Sequence, residues 1–553
     1  MKSVEDALKL RLNNDHGMEY PDFASMWERM EQAGHTGDSD SKRARGRSVQ
    51  RQGRNLRKSV VALSLAALLA AAPVYAAIQV DWNGLLHGKS GIQAALSEHL
   101  GQELEQSVTR DGVTLTLHTA VVDENRTVIL YSLNPGEHNR AEFMKFKGIS
   151  LRDEQGKLSE GILRDMVWDA GSGRYTGYVE SNWTPEGDTA KVEFIARDLQ
   201  SFTRQEQELE VDNTTGETQS FNIAQDGLQA LHVQMFPRED NRLLVYSEIT
   251  FEQEEAAAWA KPQVVAYRDG AVVKELTDSL QVRPGDNGEY ISQQFYRHSD
   301  VSDESTAYRL QYMKEEERLD GKWSFDLNLS KKQMNTGTAK YALNKPLETG
   351  SDDITLEQMV VTPTQIRISY RTREAYAHLP YEKITLEVQG MSLQGELWPT
   401  AERDPNKGAI RFERPSGLVM NGKTPVTLTG KYKITNHKGE RTPIRLTAIS
   451  GKRQSVTSQV GGYPVEWIYY TLDGDLYVET GSQTPGFGGI VSFETTRNNS
   501  YFAGETLIAN HSGDDDNTAI KRYKGYEQTK ASMYVSSYIT VEPDQMIQVQ
   551  LLP

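Results

Sequence analysis

The sequence predicts a mainly β protein: tandem immunoglobulin-like β-sandwich modules that follow one transmembrane helix and a short helical N-terminal segment. Three observations predict it. From Val113 onward, apolar and polar residues alternate with period two in short runs broken by turn residues. A phrase of strand, polar turn and strand ending in Tyr occurs three times, closing on Tyr131, Tyr246 and Tyr370. Ahead of these strands, Ser59–Val80 carries no charge and lies between Arg57-Lys58 and Asp81. A helix needs about 20 apolar residues to cross a bilayer core, so this run is long enough.

The run divides two unlike pieces. Residues 1–58 hold 12 Lys+Arg against 9 Asp+Glu, whereas residues 81–553 hold 49 against 68. The basic excess precedes the span, which predicts a cytoplasmic N-terminus and an extracellular C-terminus in the cell membrane. An acidic outer piece argues against direct nucleic-acid binding, since phosphate recognition needs a basic surface. The 553-residue chain has no cysteine, which excludes disulfides, thiolate metal sites and cysteine nucleophiles. A large exported chain without disulfides fits a Gram-positive bacterium.

Residues 1–40 form the cytoplasmic helical segment. Ser3–Leu12 is one short helix, with Ser3 as its cap and Asp6 in its first turn. A second follows Pro21 and an Asp22 cap, and places Phe23, Met26, Trp27 and Met30 on one stripe. Helices this short are marginal alone in water, below about 12–15 residues. The stripe therefore reads as a partner-binding face, with a local helical hairpin or a membrane-surface segment as the other readings. Residues 41–58, the basic juxtamembrane linker, hold eight basic residues and no acidic one, and suit contact with anionic lipid. Residues 59–80 are the transmembrane helix. Cleavage after Ala76 is the competing account, but a signal peptide spans about 15–30 residues in all, far less than what precedes this site.

Residues 81–106 read as a helical connector, because Ile92, Ala95, Leu96, His99 and Leu100 share a stripe running on toward Leu104. On that stripe His99 is a packed or hydrogen-bonded histidine rather than a ligand. Module 1 (107–212) opens with strands flanking the turn Asp123–Arg126. Module 2 (213–345) repeats the phrase around Arg238–Arg242, and module 3 (346–450) around Thr362–Gln365. Each adds a second hairpin, at 149–158, 264–276 and 384–398, and each closes with alternating segments such as 191–195, 323–329 and 426–434. A period of roughly 115–130 residues is too long for a solenoid and suits sandwiches of about seven strands. Residues 451–553 form a C-terminal β unit with a Gly-rich loop at 481–489 and closing strands at 535–553.

No metalloprotease, phosphate-loop, nucleophile-elbow or dinucleotide motif is present, so no catalytic, cofactor-binding or metal residues are expected and the chain does not read as an enzyme. The run Asp514-Asp515-Asp516-Asn517 lacks the ligand spacing of a calcium loop and reads as a solvated turn.

PDFASMWERMEQ at 21–32, DWNGLL at 81–86, GIQAAL at 91–96 and HLGQELEQSVTRDGVTLTLHTAVVDENRTVILYSL at 99–133 resemble a group of bacterial membrane proteins. Their outer portion is catalogued as domain of unknown function 4179, and they are treated as anti-sigma factors. The resemblance is strongest over 1–200, weaker over 220–450, and adds little at the C-terminal end. It implies that Phe23, Met26, Trp27 and Met30 hold an extracytoplasmic-function sigma factor while the outer modules sense an envelope signal through an unknown ligand. The zinc-binding His/Cys pattern of many anti-sigma domains is absent, so the inner segment is not that fold. The family supplies no catalytic residues. The alternative is a cell-surface adhesion or wall-binding protein with no regulatory role.

Overall fold

The computed structural model describes residues 82–553 except 137–140, 164–165, 213–215, 238–240, 277–280, 286–287, 304, 352, 378, 399–403, 498–499 and 510–516. The Phe23/Met26/Trp27/Met30 stripe, the basic linker and the apolar run lie outside the described residues. Among the described residues, no helix is long and apolar enough to cross a membrane. Among the described residues the chain is mainly β, arranged in five sheets.

Two helices come first: Trp82–Leu85 (α1) and Ser90–Ser97 (α2). The apolar stripe extends past Ser97, but the helix does not. His99 takes a left-handed φ of 57°, exposed rather than packed, and Gln102–Arg110 is already a strand. Gly101 permits this turn, because a Cβ there would stand 2.6 Å from Thr119 Cγ2. The buried face of α2, with Ile92 and Ala95, packs with Leu86 on Val121, Val128, Leu130 and Tyr178.

Sheet A runs Gln102–Arg110, Val113–Val122, Thr127–Asn134, Arg174–Ser181, Ile162–Leu163, with Val167–Asp169 beside Arg174–Ser181. Sheet B runs Ala271–Val272, Gln263–Arg268, Thr306–Ser330, Thr189–Leu209, Phe143–Asp153, Leu158–Glu160. Its two central strands are 25 and 21 residues long, well beyond the usual strand, and they serve two cores. Trp323, Phe325, Leu327 and Leu329 pack with Leu115, Leu117, Ile129 and Tyr131 of sheet A. Tyr308, Leu310 and Tyr312 pack instead with Leu231, Val233, Val245 and Tyr296 of the strands Leu228–Pro237, Arg242–Phe251 and Tyr290–Arg297. Register shifts at Glu315/Glu317 and Leu319/Lys322 fall between the two sets, where the strand passes from one core to the next.

The second half of the chain repeats this plan. Sheet C runs Gln219–Gln225, Leu228–Pro237, Arg242–Phe251, Tyr290–Arg297, Gln281–Pro284; sheet E runs Gln454–Val460, Tyr463–Leu472, Asp475–Gly481, Ala519–Tyr523, Glu505–Ala509. Both place their last strand in space one step early in sequence. Sheet D joins the remaining strands through the long pair Val426–Lys438 and Lys530–Leu552. That pair again feeds two cores: Leu428 and Leu551 enter one, Met533 and Val535 the other. The repeat reaches single residues. Tyr131 faces Gly177 across strands, and Tyr370 faces Gly408. A Cβ would meet the ring at 2.7 Å in the first pair and 2.2 Å in the second. The ring fills the space that glycine leaves, which fixes register at the same place in both repeats.

Candidate functional site

The two repeats meet through the same turn in each. Asp123 N–H donates to the Arg126 carbonyl at 3.0 Å, and Thr362 N–H donates to the Gln365 carbonyl at 2.8 Å. Both turns connect the paired strands that the alternating pattern marked out, and both are buried. Thr364 Oγ1 donates to Asp123 Oδ2 at 2.5 Å and accepts from Arg126 Nε at 3.1 Å. Arg367 also donates to the Asn125 carbonyl.

Arg126 is the centre, with only 1% of its surface exposed. Its Nη1 donates to Glu180 Oε1 at 2.9 Å and Glu413 Oε1 at 2.7 Å. Its Nη2 donates to Glu413 Oε2 at 2.9 Å and the Thr364 carbonyl at 3.1 Å. Together with the Nε bond, these use the five N–H donors of a guanidinium. Glu180 stands three positions after Gly177, and Arg411 three after Gly408, so they occupy matching places in the two repeats. They bond to each other, Arg411 Nη1 donating to Glu180 Oε1 at 3.1 Å. Matching positions that face one another are the signature of a two-fold contact, and opposite charges there suit it. Arg411 also reaches Glu396 at 2.7 Å and lies 3.4 Å from the Trp398 ring centroid.

The helices join this junction. Lys89, just before α2, donates from Nζ to Glu180 Oε2 at 3.1 Å and to Glu413 Oε1 at 3.2 Å, one carboxylate from each repeat. Ser90 Oγ donates to the Arg414 carbonyl at 3.3 Å. Gly91 lies against the second turn so closely that a Cβ would stand 1.9 Å from the Thr364 carbonyl oxygen. Two further ties come from Glu124, which pairs with Lys331 at 2.7 Å and with Lys340.

Electrostatics sharpen the picture. Burial alone would raise the Glu180 carboxyl, but the charges of Arg126 and Lys89, the hydrogen bond from Arg126 and the charge of Arg411 outweigh it and hold it down to about 2. Burial also opposes the charge on Arg126, yet Glu413, Glu180 and Asp123 push its pKa further up. The groups therefore stay ionised at any physiological pH. The five N–H donors of Arg126 are all used, and the buried ion pairs tie the two repeats together as a clamp. Among the described residues no cluster of three His, Asp or Glu is placed to hold a metal ion. In the Asp514–Asn517 run, Asn517 is described, and its amide bonds the Ser482 and Phe487 carbonyls.

Comparison with known proteins falls on this same region. Residues 51–134 match the domain of unknown function DUF4179. The match is consistent with membership of that family. It begins in the basic linker, crosses the apolar run and both helices, and ends with the strand Thr127–Asn134. It therefore contains Lys89, Gly91, Asp123 and Arg126, while Glu180, Thr364, Arg411 and Glu413 lie beyond it. No curated protein matches. Among solved structures, "The crystal structure of the conserved domain protein from Bacillus anthracis" aligns at 10% identity, covering 82% of this chain and 92% of that chain, with a TM-score of 0.32.

Proposed function

We propose that this chain is a membrane-anchored envelope sensor. Its cytoplasmic segment binds an extracytoplasmic-function sigma factor through Phe23, Met26, Trp27 and Met30, and its outer portion is a set of tandem immunoglobulin-like β-sandwiches. The observation that carries the reading is the grip on α2: Lys89 bonds a carboxylate from each repeat, and Gly91 rests on the turn of the second. These are the first described helices after the apolar run of 59–80. A change in how the two repeats seat must move Glu180 against Glu413, and Lys89 spans both. Such a movement is delivered to the stretch of chain that enters the membrane. The buried, mutually dependent bonds of Arg126 favour a two-state clamp over a graded hinge.

The inner half of the reading is tested by capture of the sigma factor on the full-length protein. Buried aromatic anchors typically carry about 2 kcal/mol or more of an interface. At about 1.4 kcal/mol per tenfold, Trp27→Ala weakens capture by roughly 30-fold, whereas Glu28→Ala, off the apolar stripe, changes little. Equal capture by wild type and Trp27→Ala, or none by either, removes the regulatory reading and leaves a surface adhesion protein.

A further inference from the structure

Where the two cores of sheet B meet, its strands line a half-open cavity of about 300 Å³ that the clamp does not use. We propose that this cavity binds a small organic anion, a carboxylate or phosphate ester carried on a compact apolar ring. The inference goes beyond the sensor reading and does not rest on it.

The chemistry is set by a crossed pair. Phe143 and Phe202 face each other on adjacent strands. Lys145, two residues after Phe143, places Nζ 5.0 Å from the Phe202 ring centroid, and Arg204, two residues after Phe202, lies 5.5 Å from that of Phe143. Phe143 and Lys145 alternate with Met144 and Phe146, which enter the first core, so they sit on the opposite face of the sheet. Trp259 walls the cavity from the side, its ring centroid 5.7 Å from that of Phe202. Its indole N–H is buried without a hydrogen-bond partner.

Lys261 closes the rim. It is exposed, holds a left-handed φ of 43°, and makes no ion pair among the described residues. Backbone bonds fix it there, from Ala260 N–H to the Ala256 carbonyl at 2.8 Å and from Met313 N–H to the Ala260 carbonyl at 2.7 Å.

Three cations thus line the cavity and no carboxylate does, in a chain of formal charge −16. The nearest counter-charge on Arg204 is Glu142, outside the lining, at 3.8 Å. Concave sites at the junction of two packed units, apolar with a few convergent charges, are the usual form of a small-ligand site. The aromatic rings accept the apolar body, while Lys145, Arg204 and Lys261 neutralise the anion.

The test is calorimetric titration of the full-length protein in detergent. Phenyl phosphate and benzoate supply ring and charge, inorganic phosphate the charge alone, and benzyl alcohol the ring alone. Phenyl phosphate or benzoate binds, whichever anion the cations prefer; phosphate binds at least about tenfold more weakly; benzyl alcohol gives no binding. Arg204→Gln and Lys261→Gln, both at exposed positions, each weaken binding by about tenfold, as expected for loss of a charge-assisted hydrogen bond, with the melting temperature unchanged. Added salt weakens it further. The proposal fails if neither aromatic anion binds. It also fails if phosphate binds as well as phenyl phosphate, which marks a diffuse cation patch, or if Arg204→Gln and Lys261→Gln each bind as the wild type does.

Discussion

Replacing Glu180 by Gln tests the clamp most sharply, because the side chain keeps its size and loses only its charge. Glu180 receives bonds from Arg126 at 2.9 Å, Arg411 at 3.1 Å and Lys89 at 3.1 Å, and is 3% exposed. Its carboxyl falls from 4.5 to about 2 in the folded chain. At about 1.4 kcal/mol per pKa unit, that fall is worth about 3 kcal/mol of folding free energy at neutral pH. The figure agrees with the roughly 3–5 kcal/mol lost when one member of a buried ion pair is removed. For a cooperative unit of about 150–250 residues, each kcal/mol moves the melting temperature by about 2–4 °C, so Glu180→Gln lowers the first transition by roughly 6–12 °C. The sign with pH follows from the depressed pKa. The contribution is complete above 4.5 and is lost as pH falls toward 2, so the gap between wild type and variant closes over that window. Differential scanning calorimetry between pH 2 and 7 reads both effects. Equal melting of the two proteins at pH 7, or a gap that stays constant with pH, refutes the account of the network.

Two further predictions concern glycines that the packing requires. Gly91→Ala drives a Cβ to 1.9 Å from the Thr364 carbonyl, so α2 lifts from the second repeat, and hydrogen exchange at 90–97 accelerates; Gly84→Ala, with nothing within 4 Å, leaves exchange there unchanged. Gly408→Ala places a Cβ 2.2 Å from the Tyr370 ring and costs about 1–3 kcal/mol by overpacking, read as a lower denaturant midpoint with unchanged slope.

Much of the β architecture was legible because its signals are local. Asp123-Glu124-Asn125 between two alternating runs is a turn between the strands Val113–Val122 and Thr127–Asn134, and Thr362–Gln365 connects its own pair in the same way. The helical stripe overran for a local reason too. Ile92, Ala95 and Leu96 are helical, but His99 and Leu100 kept the same spacing after the backbone had turned away. The division of one strand between two cores left no trace, since Thr306–Ser330 alternates through both and only its bulges mark the passage. The clamp was illegible altogether. Lys89 and Glu413 stand 324 positions apart, and nothing in either neighbourhood distinguishes them from the other charged residues of the chain. The same holds for the cavity, whose cations lie on three separate segments. Phe23, Met26, Trp27 and Met30 remain as the sequence presents them.

The central claim is that the outer repeats and the inner stripe act as one regulator of a sigma factor. Transcription from a promoter of that factor, followed in cells by a reporter, tests it directly. The account predicts high activity when the protein is deleted and low activity when the wild type is restored. Trp27→Ala fails to restore repression, and Lys89→Met, which removes the ion pairs from Lys89 to both repeats, shifts the basal level although the Phe23/Met26/Trp27/Met30 stripe is unchanged. Reporter activity that is the same with the protein present, deleted or carrying Trp27→Ala contradicts the account.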